Sequence, residues 1–156
     1  MREERITSTE NKGELIYRLE MVLPANQEEV WKRIANVQEI RSWDSMISEI
    51  SGEIREGGKV RLRSKISPNQ EFRLRISDVT PQNKMKWSSG VAPFFKGVRS
   101  YHLSRENGQT RLVVEEVFSG WLLPLMKSKL PSCDVLFGSY ARDLRKALTQ
   151  RKNNRI

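Results

Sequence analysis

The sequence has little of what disulfide bonds and metal sites require. Its 156 residues include one cysteine, Cys133, and one histidine, His102. A lone cysteine excludes an intrachain disulfide and favours a reducing compartment. Zinc sites in proteins normally use three or four His, Cys or carboxylate ligands at suitable spacing, so we expect no metal site here.

Long apolar runs and recognisable catalytic motifs are also missing. No segment approaches the roughly 20 apolar residues of a membrane-spanning helix, and residues 1–12 are too polar for a signal peptide. We therefore expect a soluble, cytoplasmic protein. The chain has no P-loop, dinucleotide fingerprint or nucleophile elbow, so no cofactor is expected and no catalytic residue is assigned.

The hydrophobic pattern begins with a strand and a short helix. Apolar and polar residues alternate over Glu14–Leu23, which predicts a half-buried strand. Asn26 stands three residues before Glu29, a spacing typical of a helix start, and predicts an amphipathic helix over residues 27–36.

About six further strands and a long C-terminal helix follow. Residues 60–119 alternate in several runs separated by turn residues. After a short helical lead-in and a break near Pro131, the apolar residues Phe137, Ala141, Leu144 and Leu148 recur at helical spacing. Sequential hairpins and one amphipathic helix predict an α+β fold, an antiparallel sheet packed against the last helix. One domain covers residues 13–150, between a flexible tail at 1–12 and a basic tail at 151–156.

The turn residues Asn107-Gly108 fix a register. A two-residue Asn-Gly loop is a strong hairpin signal. Counting outward from it places Leu103 opposite Leu112, Tyr101 opposite Val114, Arg99 opposite Glu116 and Gly97 opposite Phe118, all on one face. Arg99 and Glu116 are then expected to face each other inside or at the rim of the cavity, as a ligand-orienting pair, as a structural salt bridge, or as a pair solvated at the open end of the sheet. The same count sends His102 to the opposite face.

The segments Phe94–Arg99, Glu115–Gly120 and Leu122–Pro124, in this order of strands and helices, resemble the START-like SRPBCC superfamily, and within it the polyketide cyclase/dehydrase-like proteins. The resemblance implies a helix-grip fold: a curved seven-stranded antiparallel sheet wraps around the C-terminal helix and leaves a cavity between them. Members of the superfamily bind lipids, sterols, polyketides, plant hormones or quinones. They share no universal catalytic motif, so the resemblance implies a cavity but no reaction.

Two hypotheses follow for the cavity. The first is binding of a hydrophobic small molecule of the lipid, polyketide or quinone type. The second is a cyclase/dehydratase-like enzyme with Glu116 or Tyr101 in acid–base work; the missing motifs favour binding. The ligand-binding residues expected are Trp43, Phe72, Leu74, Trp87, Phe95, Arg99, Tyr101, Glu116, Phe118, Trp121, Phe137 and Tyr140. Residues 90–95 are expected to be a loop at the cavity mouth, or else a loop packed on the core.

A third hypothesis is based on charge. The chain has 28 Lys and Arg against 19 Asp and Glu, a net charge of +9. If Ile66 pairs with Phe72, cations of neighbouring strands face each other on the outer side of the sheet: Arg61, Arg63, Lys65, Arg73, Arg75, Lys84 and Lys86. Such a face fits an anionic partner, namely a phospholipid surface, RNA or an acidic protein, or it is a solvated face that deters aggregation. No aromatic residues accompany these cations, which argues against a nucleic-acid partner.

Overall fold

The structure is a computed structural model that describes residues 4–153. It is α+β, with one antiparallel eight-stranded sheet in the order β1-β2-β8-β7-β6-β5-β4-β3. The strands are β1 (Arg5–Asn11), β2 (Glu14–Leu23), β3 (Ile47–Gly52), β4 (Lys59–Ser64), β5 (Ser67–Thr80), β6 (Lys84–Val91), β7 (Phe95–Glu106) and β8 (Gln109–Ser119). The helices are α1 (Gln27–Ile34), α2 (Val37–Trp43), α3 (Leu123–Met126) and α4 (Cys133–Asn153), with a 3₁₀ turn at Lys127–Lys129 between the last two.

The long helix α4 packs its apolar stripe on the sheet, as the helical spacing predicts. Phe137, Ala141, Leu144 and Leu148 are all buried. From β2, Leu15, Tyr17, Leu19 and Met21 point into the same core. The α+β prediction, with a curved sheet gripping the C-terminal helix, is confirmed. None of the helices within residues 4–153 is both long and apolar enough to cross a bilayer.

Two predictions for the N-terminal part of the chain are wrong. The sheet has eight strands rather than seven, and the described residues of the predicted loose tail over residues 1–12 are largely in a strand. Residues 5–11 form β1, which pairs with β2 from Arg5↔Glu20 to Asn11↔Glu14. The strand lies at the sheet edge and exposes nearly all its side chains, so it shows no apolar alternation. At the other end, α4 continues to Asn153, into the predicted basic tail. Residues 1–3 and 154–156 of the two predicted tails lie outside the described residues.

The first helix is shorter than predicted and a second one follows it. The Oδ1 atom of Asn26 accepts a hydrogen bond from the backbone N–H of Glu29 at 2.8 Å, which confirms the predicted helix start. However, α1 ends at Ile34 rather than near residue 36. Asn36 then caps α2, its side chain accepting from the N–H groups of Gln38 and Glu39.

The pairing of β4 with β5 differs from the prediction. Leu62, not Ile66, lies opposite Phe72. The turn occupies residues 65–66, and residues 68–70 are taken up by an irregularity between the pairs Arg63↔Glu71 and Ser64↔Ser67. Cations still face each other across the strands, with Lys59 opposite Arg75 and Arg61 opposite Arg73.

Candidate functional site

A cavity of about 210 Å³ lies between the concave face of the sheet and the helices α2 and α4. Its walls come from strands β3 to β8, from Ile40 and Asp44 on α2 and at its C-cap, and from Leu136, Ser139 and Tyr140 on α4. Because successive side chains of a strand alternate between faces, the inward residues of β7 and β8 form most of one wall. The lining is mainly apolar, and its charged residues are Asp44, Arg99 and Glu116.

The β7–β8 hairpin brings the predicted charged pair into this cavity. The observed register has Arg99 opposite Glu116, Tyr101 opposite Val114 and Gly97 opposite Phe118, as the Asn-Gly turn predicts. Both Nε and Nη2 of Arg99 lie 2.7 Å from Oε1 of Glu116. The side chains of Arg99 and Glu116 are only 21% and 18% exposed. The ion pair is therefore largely removed from solvent.

The surroundings of Arg99 keep it charged. Its guanidinium carbon lies 5.3 Å from the ring centroid of Phe137, within cation–π range. Burial lowers the pKa of the Arg99 guanidinium, but the charge of Glu116 and the neighbouring Tyr101 hydroxyl outweigh this, so the pKa lies above its ordinary value. Arg99 is a permanent cation inside an apolar wall.

Two tyrosines add neutral hydroxyl groups to the cavity lining, Tyr101 from β7 and Tyr140 from α4. Burial raises the pKa of Tyr101, although the charge of Arg99 acts in the opposite direction. Burial likewise raises the pKa of Tyr140 well above its ordinary value. Both hydroxyls therefore remain protonated at neutral pH. Oγ of Ser139, in the helical wall formed by α4, is buried and has no hydrogen-bond partner among residues 4–153.

Asp44 is a cavity residue that the sequence analysis missed. It is the C-cap of α2, and its Oδ1 accepts a hydrogen bond of 3.1 Å from the N–H of Met46. Burial raises the pKa of the Asp44 carboxyl; the Met46 hydrogen bond and the Arg99 charge oppose this, and Asp143 adds to it. Because α2 was not predicted, the only sequence signal for a cavity residue here is an acidic residue directly after Trp43.

Nine of the predicted ligand-binding residues line the cavity and three do not. Those in the lining are Phe72, Leu74, Trp87, Phe95, Arg99, Tyr101, Glu116, Phe118 and Tyr140. Trp43 instead packs edge-on against Tyr140, with ring centroids 5.3 Å apart, and donates from Nε1 to the carbonyl of Arg33. Phe137 is fully buried behind Arg99. Trp121 is 65% exposed and lies on Phe94, away from the cavity.

The predicted mouth loop over residues 90–95 is a tight turn. Pairing of β6 with β7 extends outward to Val91↔Phe95, which leaves only residues 92–94 between the strands. Phe95 lines the cavity, whereas Gly90, Val91 and Ala92 line a separate groove. The expectation that this loop forms the cavity mouth is therefore wrong except for Phe95.

The lone histidine and the lone cysteine lie outside the cavity. His102 is exposed and pairs with Val113 on the convex face, as the hairpin count predicts. Cys133 begins α4, where it is buried and its Sγ contacts the carbonyl of Thr7 at 3.3 Å. Burial raises the pKa of its thiol. Among residues 4–153, no three His, Cys, Asp or Glu side chains are grouped as metal ligands would be.

Comparison with known proteins identifies a family model that matches most of the chain. The model described as polyketide cyclase / dehydrase and lipid transport matches residues 16–134, from β2 to the beginning of α4. A search of curated proteins finds no match.

Solved structures match the fold over nearly the whole chain. CalU16 from Micromonospora echinospora has a TM-score of 0.67 and 18% identity, with 95% of this chain and 74% of CalU16 covered. A protein from Rhodobacter sphaeroides has a TM-score of 0.72 and 14% identity, with 97% and 99% covered. DynU16, a protein in the dynemicin biosynthetic locus, has a TM-score of 0.62 and 17% identity, with 85% and 46% covered. At these identities the likeness concerns the fold alone.

Proposed function

The chain belongs to the polyketide cyclase / dehydrase and lipid transport family, part of the SRPBCC superfamily that its sequence resembles, and from this premise we propose that it binds a hydrophobic small molecule of the lipid, polyketide or quinone type. The observation that carries the proposal is a mainly apolar cavity containing one hydrogen-bonded ion pair, Arg99–Glu116. Small-molecule sites are typically apolar hollows with a few convergent polar groups.

The cavity volume narrows the ligand class. At about 210 Å³, the cavity is smaller than the roughly 300–1,000 Å³ of common ligand sites. A compact ring system fits this space better than an extended acyl chain. The aromatic side chains of Trp87, Phe95 and Phe118 line it, and aromatic surfaces pack well against flat ligand rings. A compact aromatic or quinone-type molecule is therefore the favoured ligand.

Three polar groups are suited to orient the ligand. Arg99 offers a cation for a carbonyl or carboxylate oxygen. Both short contacts of Arg99 with Glu116 fall on Oε1, and no hydrogen bond is found for Oε2 of Glu116 among the described residues. The unpartnered Oγ of Ser139 lies in the opposite, helical wall. A buried polar group without a partner is costly, so a ligand hydroxyl or carbonyl between these walls would remove a penalty of the empty cavity.

The first test is whether the purified protein carries or takes up such a molecule. Native mass spectrometry should detect a copurified small molecule, or binding of an added naphthoquinone, aromatic polyketide or fatty acid. Ligand in the cavity should also quench Trp87, which lines the wall, and Trp87→Phe should reduce this quenching. Persistent failure to detect any of these ligands contradicts the proposal.

A cavity-filling variant separates the cavity from other surfaces. A Cβ added at Gly97 would make only ordinary contacts of 3.6 Å with Phe118 and Ser89, so Gly97→Val is expected to fold while occupying ligand space. Binding should weaken by about tenfold or more, equivalent to about 1.4 kcal/mol. Ser100→Val, one position away from Arg99 on the opposite face of β7, is the control and should bind normally. Equal affinity in both variants would place the ligand elsewhere.

Acid–base catalysis on a polyketide-like substrate is the second candidate. It is favoured by Oε2 of Glu116, for which no hydrogen bond is found among residues 4–153, and by the protonated Tyr101 hydroxyl in the same cavity lining, since these can accept and donate a proton respectively. Glu116→Gln preserves the shape of the side chain and removes its basicity. A catalytic role predicts that turnover of an aromatic polyketide is lost while its affinity persists. If affinity and turnover fall together, Glu116 only positions the ligand.

A further inference from the structure

Four large apolar side chains form an exposed tip at one end of the β6–β7 hairpin. Val91, Phe94, Trp121 and Leu125 are 64%, 46%, 65% and 71% exposed. The rings of Phe94 and Trp121 contact each other, with centroids 5.1 Å apart. We call these four residues the apolar tip. Contiguous exposed apolar side chains of this size commonly mark an interaction site.

The two segments that carry the apolar tip are fastened together by their backbones. The N–H of Trp121 donates to the carbonyl of Pro93 at 3.1 Å, and that of Leu122 donates to the carbonyl of Phe94 at 2.9 Å. Gly120 permits this approach, since its φ is +109° and an added Cβ would lie 2.3 Å from the Phe94 carbonyl oxygen. These backbone hydrogen bonds fix the two segments that carry the apolar tip to each other.

A basic groove adjoins the apolar tip. It has a volume of about 750 Å³ and runs over the outer side of β4, β5 and β6 to Val91 and Ala92. Five cations line it and no carboxylate does: Lys59, Arg61, Arg73, Arg75 and Lys96. Among the described residues only Arg73 of these five has an ion-pair partner, Glu71 at 3.2 Å. We call these five residues the basic groove.

The like charges in the basic groove lower the folding stability of the protein. Lys59 lies directly opposite Arg75, and Arg61 directly opposite Arg73. Like charges at directly opposed positions destabilise a sheet. An external anion would relieve this repulsion, and the net charge of +9 draws anions toward the whole molecule.

We propose that the apolar tip and the basic groove together dock this protein on an anionic lipid bilayer. Trp side chains are enriched at the boundary between headgroups and acyl chains, Phe and Leu side chains are buried there in interfacial helices, and the neighbouring cations would lie against the lipid phosphates and carboxylates. An RNA strand would satisfy the groove but leave Leu125 and Val91 in water. An anionic bilayer offers negative charge and apolar material in one surface and so accounts for the tip and the groove at once.

The test measures cosedimentation of the full chain with vesicles. Vesicles of phosphatidylcholine with roughly 30% phosphatidylserine should bind the protein, and pure phosphatidylcholine vesicles should bind it far more weakly. Each cation near an anionic surface strengthens binding by about fivefold. The double variant Lys59→Glu/Arg61→Glu should therefore bind at least about 25-fold more weakly. The control Arg142→Glu/Lys146→Glu makes the same change in net charge on α4 and should retain most of the binding.

The apolar tip is tested with a matched pair of surface variants. Trp121→Ser/Leu125→Ser should also weaken binding by about tenfold or more, because two side chains no longer enter the interface. Val135→Ser removes another exposed apolar residue, 50% exposed in the first turn of α4, and should have no effect. Brominated lipids should quench Trp121, and Trp121→Phe should abolish most of that quenching.

Three results would overturn the proposal. One is equal binding to anionic and neutral vesicles. Another is loss of binding in the groove variant but not in the tip variant, which indicates adsorption by charge alone. The third is tighter binding of a single-stranded RNA than of vesicles, abolished by the same groove variant. The Gly97→Val variant should dock normally, so failure of docking and failure of cavity binding are distinguishable.

Discussion

Arg99 and Glu116 face each other across β7 and β8, with two guanidinium nitrogens of Arg99 at 2.7 Å from one carboxylate oxygen of Glu116. Both contacts use Oε1, and no hydrogen bond is found for Oε2 of Glu116 among residues 4–153. The arrangement combines a fixed cation with an acceptor oxygen that no described residue contacts by a hydrogen bond. Its contribution to folding and its contribution to ligand binding can be measured separately.

Glu116→Gln should destabilise the fold by about 1–3 kcal/mol, measured by urea unfolding at neutral pH. Removing one partner of a fully buried pair costs about 3–5 kcal/mol because a charge is left uncompensated. The 21% and 18% exposure of these side chains reduces that figure. The double variant Arg99→Met/Glu116→Leu should recover most of the loss, since neither charge is then left alone.

A neighbouring ion pair on the other face of β8 provides the control. Glu115 accepts a hydrogen bond of 3.1 Å from Nη1 of Arg18, and the side chains of Arg18 and Glu115 are 42% and 35% exposed. Glu115→Gln should cost only about 0–1 kcal/mol, as is usual for solvent-exposed pairs. Equal losses in Glu116→Gln and Glu115→Gln would mean that burial of the cavity pair has no energetic consequence.

Asp44→Asn should change how stability depends on pH. Burial raises the pKa of Asp44 in the folded protein above its ordinary value, so between these two values the folded state binds more protons than the unfolded state. Stability contributed by the protonated form is then lost as the pH rises through this window. The variant cannot ionise, and its side-chain oxygen can still accept from Met46.

The comparison is made by urea unfolding at about pH 3, below the ordinary Asp pKa of about 3.9, and at neutral pH. Asp44→Asn and the original protein should have similar stability at the acidic end, where the carboxyl is protonated. At neutral pH the variant should be the more stable of the two. A variant that is less stable at neutral pH would show that the charged carboxylate is favourable where it lies, through Arg99 and the Met46 hydrogen bond.

The sequence determines the site best where a local turn fixes a register. Asn107 and Gly108 both have positive φ, 50° and 79°, as a two-residue hairpin turn with right-handed strand twist requires. From that turn alone the pairing of Arg99 with Glu116 could be counted correctly. The face of each β7 and β8 residue followed from the alternation of side chains.

The missed elements are those whose local signal is weak. β1 is an edge strand held by backbone pairing, and its turn residues, Lys12-Gly13, are a weaker hairpin signal than Asn-Gly. The seven-residue helix α2 is too short for a clear apolar period, so Asp44 was not placed in the cavity. The β4–β5 register depends on an irregularity at residues 68–70, where the Ser-Pro-Asn-Gln sequence of residues 67–70 has the composition of a turn although it lies within β5.

Two glycine substitutions should shift stability in opposite directions. Gly13 has a φ of +80° in the β1–β2 turn, and nothing lies within 4 Å of an added Cβ. Gly13→Ala should therefore cost about 1 kcal/mol through backbone strain alone. Gly138 lies within α4, also with open space around an added Cβ, and Gly138→Ala should stabilise by about 0.5–1 kcal/mol. Thermal unfolding measures both; a gain for Gly13→Ala would contradict the assignment of a positive-φ turn that joins β1 to the sheet.

Reversing one charge in the basic groove should stabilise the isolated protein. Lys59 lies opposite Arg75 and has no ion-pair partner among the described residues, so Lys59→Glu turns a repulsive cross-strand pair into an attractive one. We expect a gain of about 0.2–1 kcal/mol in urea unfolding at low salt, and the gain should shrink as salt is added.

The control is Lys84→Glu, the same change on the same outer face. Lys84 already contacts Asp78 at 3.1 Å, so reversing its charge should destabilise the protein. If both variants lose stability to the same degree, cross-strand repulsion is not present in the groove. If Lys59→Glu gains stability while losing vesicle binding, the Lys59–Arg75 repulsion lowers the folding stability of the protein, and the same cations contribute to binding the anionic bilayer.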